Sequence, residues 1–282
     1  MSIGIIGFGF VGDAMYCGLR DRGLEDVIVY DPYKIPESKI EDFKDVSMAF
    51  ICVPTPMGKG GKMDDAALVD VLDKLAGIEF RGISVIKSTT IPNKITELRK
   101  KYSELRIVTN PEFLTQRRAR EDFINTQWVL VGGDKDDTQY IAEFYRLLFP
   151  EANIVEVGAE AVMMAKYMTN SFFACKVALM NEFYHVWEKL DCGDWQDVIK
   201  AFSADTRVGP NHLQVPGPDG DKGFGGKCFS KDLNALMAMA KLFGVPGNVM
   251  NGAWESNKTF RENKDWLEIE GAVTGDYEDE DE

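Results

Sequence analysis

Residues 223–232 read Gly-Phe-Gly-Gly-Lys-Cys-Phe-Ser-Lys-Asp. Three glycines surround a cysteine that is followed by a lysine–aspartate pair. Glycine lets a backbone pass close to a ligand, because no Cβ stands in the way. This spacing puts Cys228 on a tight loop, with Lys231 and Asp232 three and four residues on. A thiol beside a cation ionises more readily, and the thiolate is the nucleophile. A neighbouring carboxylate can position or deprotonate a water. The pattern points to covalent catalysis through sulfur. An isolated cysteine is more often a small buried hydrophobe beside a helix start, but the glycines and charges argue against that here.

The bulk sequence narrows the setting. The five cysteines, Cys17, Cys52, Cys175, Cys192 and Cys228, are scattered and contain no CxxC pair. That fits neither a disulfide framework nor a zinc site and implies a reducing compartment. Only His185 and His212 are present, so no metal is expected. No apolar run reaches membrane-spanning length and the N-terminus lacks a signal-peptide layout, so a soluble cytoplasmic protein with no membrane association is expected. The net charge is −14, and residues 268–282 carry eight acids and no base. Without them the balance is still −6, which argues against nucleic-acid binding. An anionic ligand would need local cations or backbone N–H groups.

The elements that must position these groups alternate. Apolar runs at 3–6, 27–30, 48–53, 83–86, 106–108 and 128–131 read as buried strands. Helical stretches lie between them, at 12–22, from Asp64-Asp65 to about Leu75, and after Pro92. This is an α/β pattern, a Rossmann-like doubly wound parallel sheet. From Glu160 to Leu190 there is no Pro or Gly, so one long central helix of about 45 Å is expected. Its apolar residues, Phe172, Phe173, Leu179, Met180 and Phe183 among them, need cover on most sides, which a second copy of the chain would give. A small all-helical region follows, with a loop at 207–227 and a helix at 231–243. The expected domains are 1–157, 158–258, and an acidic C-terminal tail at 259–282 whose last stretch, Gly-Asp-Tyr-Glu-Asp-Glu-Asp-Glu, reads as solvated.

Gly7-Phe8-Gly9-Phe10-Val11-Gly12 is a GxGxxG turn that follows a strand, opens a helix and is trailed 19 residues later by Asp31. In that context it predicts a dinucleotide site, with the pyrophosphate on the helix N-terminus. The Asp31 carboxylate would accept the adenosine ribose hydroxyls and repel a 2′-phosphate, so NAD is favoured over NADP. Lys34 either reaches the cofactor or lies in solvent. Val53-Pro54-Thr55 and Ser88-Thr89 leave the third and fourth strands at the edge where cofactors bind. Each is otherwise a rigid turn or a helix cap.

These motifs together resemble the UDP-glucose/GDP-mannose 6-dehydrogenase family, and within it the branch that oxidises UDP-glucose. The carrying stretches are GFGFVG at 7–12, CVPTP at 52–56, KSTTIP at 87–92, NPEFL at 110–114, Lys166 with Asn170, Arg207-Val208-Gly209, and VPGPDGDKGFGGKCFSKD at 215–232. The resemblance spans about residues 1–258. It implies NAD-dependent four-electron oxidation of a nucleotide-sugar primary alcohol to a carboxylate, with Cys228 carrying a thiohemiacetal and then a thioester. It implies that Lys166 stabilises the oxyanion with Asn170 one turn away, and that Asp232, Thr89 and Glu112 handle water and protons. Thr90 competes with Thr89 for that role. It also implies that Phe113, Leu114, Phe224 and Gly225 line the sugar, and that Arg207 reaches the substrate of a neighbouring subunit in a homodimer built on helix 160–190. Lys231, first read as the cation beside the thiol, falls on the cofactor side.

The chain departs from the family at Gln116, where a second glutamate is usual, and at Ser230, where many members have proline. A further Rossmann-like domain that grips the nucleotide is expected to be missing. A related enzyme acting on GDP-mannose or a UDP-N-acetylhexosamine, or a non-autonomous chain whose partner supplies the nucleotide domain, are the alternative expectations.

Overall fold

The short apolar runs become strands, those at 3–6, 48–51 and 83–86 buried on both faces, because alternate side chains point to opposite sides of a pleated sheet. The structure is a computed structural model that describes residues 2–277. The Gln116 side chain and acidic residues 278–282 lie outside the described residues. The contacts divide the chain into two units, Met1–Thr55 with Asp64–Lys166, and Pro56–Met63 with Tyr167–Glu282. The sequence placed the break at 157/158 instead.

The first unit holds β1 (Ile3–Ile6), α1 (Phe10–Asp21), β2 (Val27–Tyr30), β3 (Met48–Ile51), α2 (Ala66–Gly77), β4 (Ile83–Ile86), α3 (Pro92–Lys101), β5 (Arg106–Thr109), α4 (Ala119–Ile124), β6 (Trp128–Gly132), α5 (Lys135–Leu148) and β7 (Asn153–Val157). The sheet order is β2-β1-β3-β4-β5-β6-β7. All pairs are parallel except β5 with β6. Ile6, Ile51 and Ile86 face one apolar cluster with Leu68 and Leu72. Their neighbours Ile5, Phe50 and Val85 face another with Met15 and Phe144. The chain reverses direction across the sheet between β1 and β3, and the carboxyl edge at such a switch point is where ligands bind.

Then comes α6 (Ala159–Leu190), a single helix of 32 residues, as the absence of Pro and Gly predicts. It is followed by α7 (Trp195–Phe202), α8 (Gly226–Leu242) and α9 (Asn248–Phe260). In the second unit Met57, Ala174, Phe224, Leu233, Trp254 and Trp266 share one core. Residues 265–277, assigned by sequence to the acidic C-terminal tail, pack into it: Trp266 is 1% exposed. Their acidic neighbours masked the anchors Trp266, Ala272 and Val273. Burying an indole of roughly 150–250 Å² contributes about 4–6 kcal/mol as an upper bound. Met57 accepts from Thr274 N (2.8 Å) and donates to Ala272 O (2.9 Å). No helix among the described residues is long and apolar enough to cross a membrane.

Candidate active site

The glycine turn is shaped as its spacing requires. Gly7 has φ +91°, and a Cβ there would press on the backbone of Cys52 and Val53. A Cβ on Gly12 would stand 2.1 Å from Gly7 O, so α1 can close on β1 only with glycine. Nothing lies within 4 Å of where a Gly9 Cβ would be. Phe10 and Val11 open α1, whose N-terminal amides suit a pyrophosphate. Asp31 sits just past β2, with Oδ2 accepting from Phe8 N (2.7 Å) and Oδ1 from Tyr33 N and Lys34 N (3.0 Å each). The Lys34 Nζ donates back to Phe8 O at 2.9 Å.

The loops leaving β3 and β4 are laced to each other. Thr55 Oγ1 donates to Thr89 O (2.8 Å) and Ser88 Oγ to Val53 O (2.7 Å). Pro54 is exposed between them. The fully buried Thr90 donates its hydroxyl to Ser88 O. Thr90 is thus wholly enclosed, whereas Thr89 keeps 8% exposure.

The first unit also assembles a cluster around Glu112. Lys166, 3% exposed, donates Nζ to Glu112 O (2.6 Å) and lies 3.5 Å from Glu112 Oε1. Its ammonium stands 4.7 Å from the centroid of the Phe113 ring, an additional cation–π attraction. Glu112 Oε2 accepts from Leu114 N, which fixes the carboxylate over its own loop.

Sequence reasoning missed Lys87. It is buried, and its Nζ donates to Asn110 O (3.1 Å) and Oδ1 (3.0 Å), while Tyr145 OH donates to the same Oδ1 and Asn110 Nδ2 to Leu130 O. Burial pushes the Lys87 ammonium pKa down, with Cys52 and Glu112 pulling the other way. A lysine closing strand β4 at the head of KSTTIP was the available signal. These groups line a cavity of about 330 Å³ with Phe113 and Trp128, whose rings lie 4.1 Å apart.

In the second unit, Asp232 is 1% exposed and held from two sides: Asn170 Nδ2 donates to Oδ2 and Lys231 Nζ to Oδ1, both at 2.5 Å. Asn170 comes from α6, and Lys231 and Asp232 from α8. The ammonium of Lys231 is thereby committed to Asp232. Tyr167, one turn before Asn170, is fully buried, and burial with the Asp232 charge drives its phenol pKa well up.

Cys228 is the third residue of α8, one turn before Asp232. The sequence reading, a loop with a helix only from 231, is corrected: the helix begins at Gly226, where backbone amides favour an anion. No disulfide occurs among the described residues.

One other expectation changes, that of the sugar-lining stretch. Phe224 was expected against the sugar. It is 3% exposed, packed near Trp254 and Phe229, with its backbone N and O both bonded to the Asn257 amide. Gly225 lies over the Arg261 guanidinium, which fills the space a Cβ would need. Arg207 is different again, with its side chain 89% exposed and paired with Asp205. Its loop is tied down by Lys176 Nζ, which donates to Val208 O (2.9 Å), Gly209 O (3.2 Å) and Asn211 O (2.6 Å).

Comparison with known proteins gives the family and its relatives. Residues 37–149 match the NAD-binding domain of the UDP-glucose/GDP-mannose dehydrogenase family, and residues 160–259 its central domain. A UDP-glucose 6-dehydrogenase of Rickettsia felis is 31% identical over 257 residues, 86% of this chain and 55% of that protein. One of Bacillus subtilis is 30% identical over 221 residues, 75% of this chain and 46% of that protein. The chain spans about half the length of these curated relatives. A UDP-glucose dehydrogenase structure from Pyrobaculum islandicum shares the fold with a TM-score of 0.79 at 21% identity, covering 92% of this chain and 68% of that one. A Mycobacterium tuberculosis 3-hydroxyisobutyrate dehydrogenase does so with a TM-score of 0.70 at 21% identity, over 92% of this chain and 93% of that one. The glycine turn, the Lys166–Glu112 pair and the anchored Asp232 thus occur in a chain that belongs to the UDP-glucose/GDP-mannose dehydrogenase family and carries its NAD-binding and central domains.

Proposed function

We propose that the chain oxidises the C6 alcohol of UDP-glucose to the carboxylate of UDP-glucuronate. One alcohol, two NAD⁺ and one water give one carboxylate, two NADH and three protons. The observation that carries this reading is Cys228 on the opening turn of α8, one turn before an Asp232 that Asn170 and Lys231 hold in place.

NAD⁺, when bound, would supply the hydride acceptor for both oxidations. The chain's own residues do the rest. Gly7, Gly9 and Gly12 with the amides of α1 would hold the NAD⁺ pyrophosphate, and Asp31 its ribose. Lys166 offsets the negative charge that develops on the substrate oxygen. The Cys228 sulfur bonds to the aldehyde carbon, and the thiohemiacetal oxygen takes a proton. After the second oxidation water attacks the thioester carbon, the C–S bond breaks, and the thiolate leaves. Asp232 accepts the proton of that water, and Thr89 and Glu112 are the first-unit groups that the family resemblance assigns to water. Arg207, exposed and mounted on a tied loop, serves the substrate of a second copy. Met168, Phe172, Leu179, Phe183, Val186 and Leu190 are exposed on α6 at helical spacing, which supports a homodimer through that helix. The five scattered cysteines, with no CxxC pair, support a cytoplasmic setting.

The test is NADH release with UDP-glucose, two per sugar. Cys228→Ala is expected to abolish acid formation, and full acid production by that variant refutes the covalent route. GDP-mannose and UDP-N-acetylhexosamines serve as competing substrates. Turnover appearing only when a second protein is added favours the reading in which another chain supplies the nucleotide domain.

A further inference from the structure

Past residue 259, where the match to the family's central domain ends, the chain returns to the opening of α8. Arg261 is buried, with a side chain only 1% exposed. It donates Nε to Asn263 O (2.8 Å), and Nη1 lies 3.0 Å from Asp219 Oδ2. Its Nη2 lies 3.2 Å from Asp265 Oδ1 and 4.0 Å from Asp221 Oδ2. One guanidinium thus gathers carboxylates from both sides of the 219–226 loop.

Asp265 completes the arrangement by accepting the Gly226 N–H, at 3.0 Å to Oδ1 and 3.2 Å to Oδ2. Gly226 is the first residue of α8, and its neighbour Gly225, at the N-cap position, has no side chain to cap the helix. The cap comes from 39 residues away. Asp265 is itself set by Trp266, fully buried with its ring centroid 5.4 Å from that of Trp254. Gly225 closes the stack: a Cβ there would fall 2.1 Å from Arg261 Nη2 and 2.4 Å from Asp265 Oδ1.

We propose that Arg261 and Asp265 are positioning residues for Cys228, fixing the first turn of α8 and so the place from which the thiol acts. The inference rests on the reading of Cys228 as the nucleophile. A helix end without its cap loosens in its first turn, and Cys228 is two residues past Gly226.

The experiment is residue-resolved alkylation of the full chain with iodoacetamide, mapped by mass spectrometry. The exposed Cys192 serves as the internal reference. Asp265→Ala is expected to raise the Cys228-to-Cys192 rate ratio about three- to tenfold, the rate equivalent of one lost cap. Asp265→Asn keeps an oxygen for Gly226 N–H and is expected to return the ratio to about the wild-type value. Gly225→Ala displaces the clamp and is expected to raise the ratio as Asp265→Ala does. A purely stabilising clamp would lower the thermal midpoint of the variants and leave the ratio unchanged, which overturns the proposal. Should Asp265→Ala fail to fold, a raised ratio in Gly225→Ala with an unchanged one in Asp265→Asn sustains it, and unchanged ratios in both overturn it. Alkylation does not depend on turnover. A shifted ratio in a chain that makes no NADH therefore keeps the positioning role and rejects the dehydrogenase reading.

Discussion

The pair Lys231–Asp232 offers a test in which stability and chemistry separate. Both side chains are almost fully enclosed, at 6% and 1% exposure, with Nζ and Oδ1 2.5 Å apart. Replacing Asp232 by Asn keeps an oxygen for Asn170 and leaves a buried ammonium without its counter-charge, at a cost of about 3–5 kcal/mol. Lys231→Met leaves the carboxylate with only Asn170 and is expected to cost a similar amount. In the double variant no charge is stranded, so its stability should return to within about 1 kcal/mol of the parent. Urea unfolding followed by tryptophan fluorescence is the assay, since Trp187, Trp195, Trp254 and Trp266 all lie in the second unit and only Trp128 in the first. The coupling energy should be about 3 kcal/mol or more. Additive single losses, or a loss under about 1 kcal/mol for Asp232→Asn, would show the pair to be well solvated and refute the argument. On the proposed mechanism, acid formation should stay absent in the double variant even where folding recovers, because the carboxylate assigned to take the proton is gone.

Two further outcomes follow from buried groups. Ser230 Oγ is enclosed without a hydrogen-bond partner among the described residues. Ser230→Ala is therefore expected to raise unfolding free energy by roughly 1 kcal/mol in the same urea assay. Lys87 has its ammonium pKa lowered from 10.5 chiefly by burial. As pH rises through the folded value towards 10.5, the unfolded chain still holds a proton that the folded chain has lost. The wild type should gain stability over Lys87→Met across that window, with a limiting slope of about 1.4 kcal/mol per pH unit. A pH-independent difference between the two would contradict the burial argument.

The regular parts of the fold were legible because their signals are local. Apolar runs such as 83–86 sit between turns, and the uninterrupted stretch 160–190 can only be one helix. Strand β7 was missed because Asn153–Val157 is half-buried and carries Asn153 and Glu156, which break the apolar run. The start of α8 was misplaced for a different reason: its cap is Asp265, and no local pattern around Gly225-Gly226 announces a carboxylate 39 residues on. The same holds for the site. GxGxxG and Asp31 are written within one βαβ stretch, whereas the packing of Phe224 depends on Trp254 and Asn257, and the role of Lys87 on Asn110 and Tyr145.

The segment Pro56–Met63 belongs to the second unit although it interrupts the first in sequence. Met57 waits for Ala272, Val273 and Thr274, with 217 positions separating it from Thr274. At roughly 5–20 residues per second a ribosome takes on the order of 10–40 s to cover that distance. The sheet can close during that interval, while the core that contains Met57 and Trp266 cannot. A contiguous fragment from residue 167 onward would also lack one of its own core strips. Expressing the Cys228-bearing half alone would therefore require grafting 56–63 back onto it, and a nick in that short loop should harm the half of the molecule that lies far away along the chain.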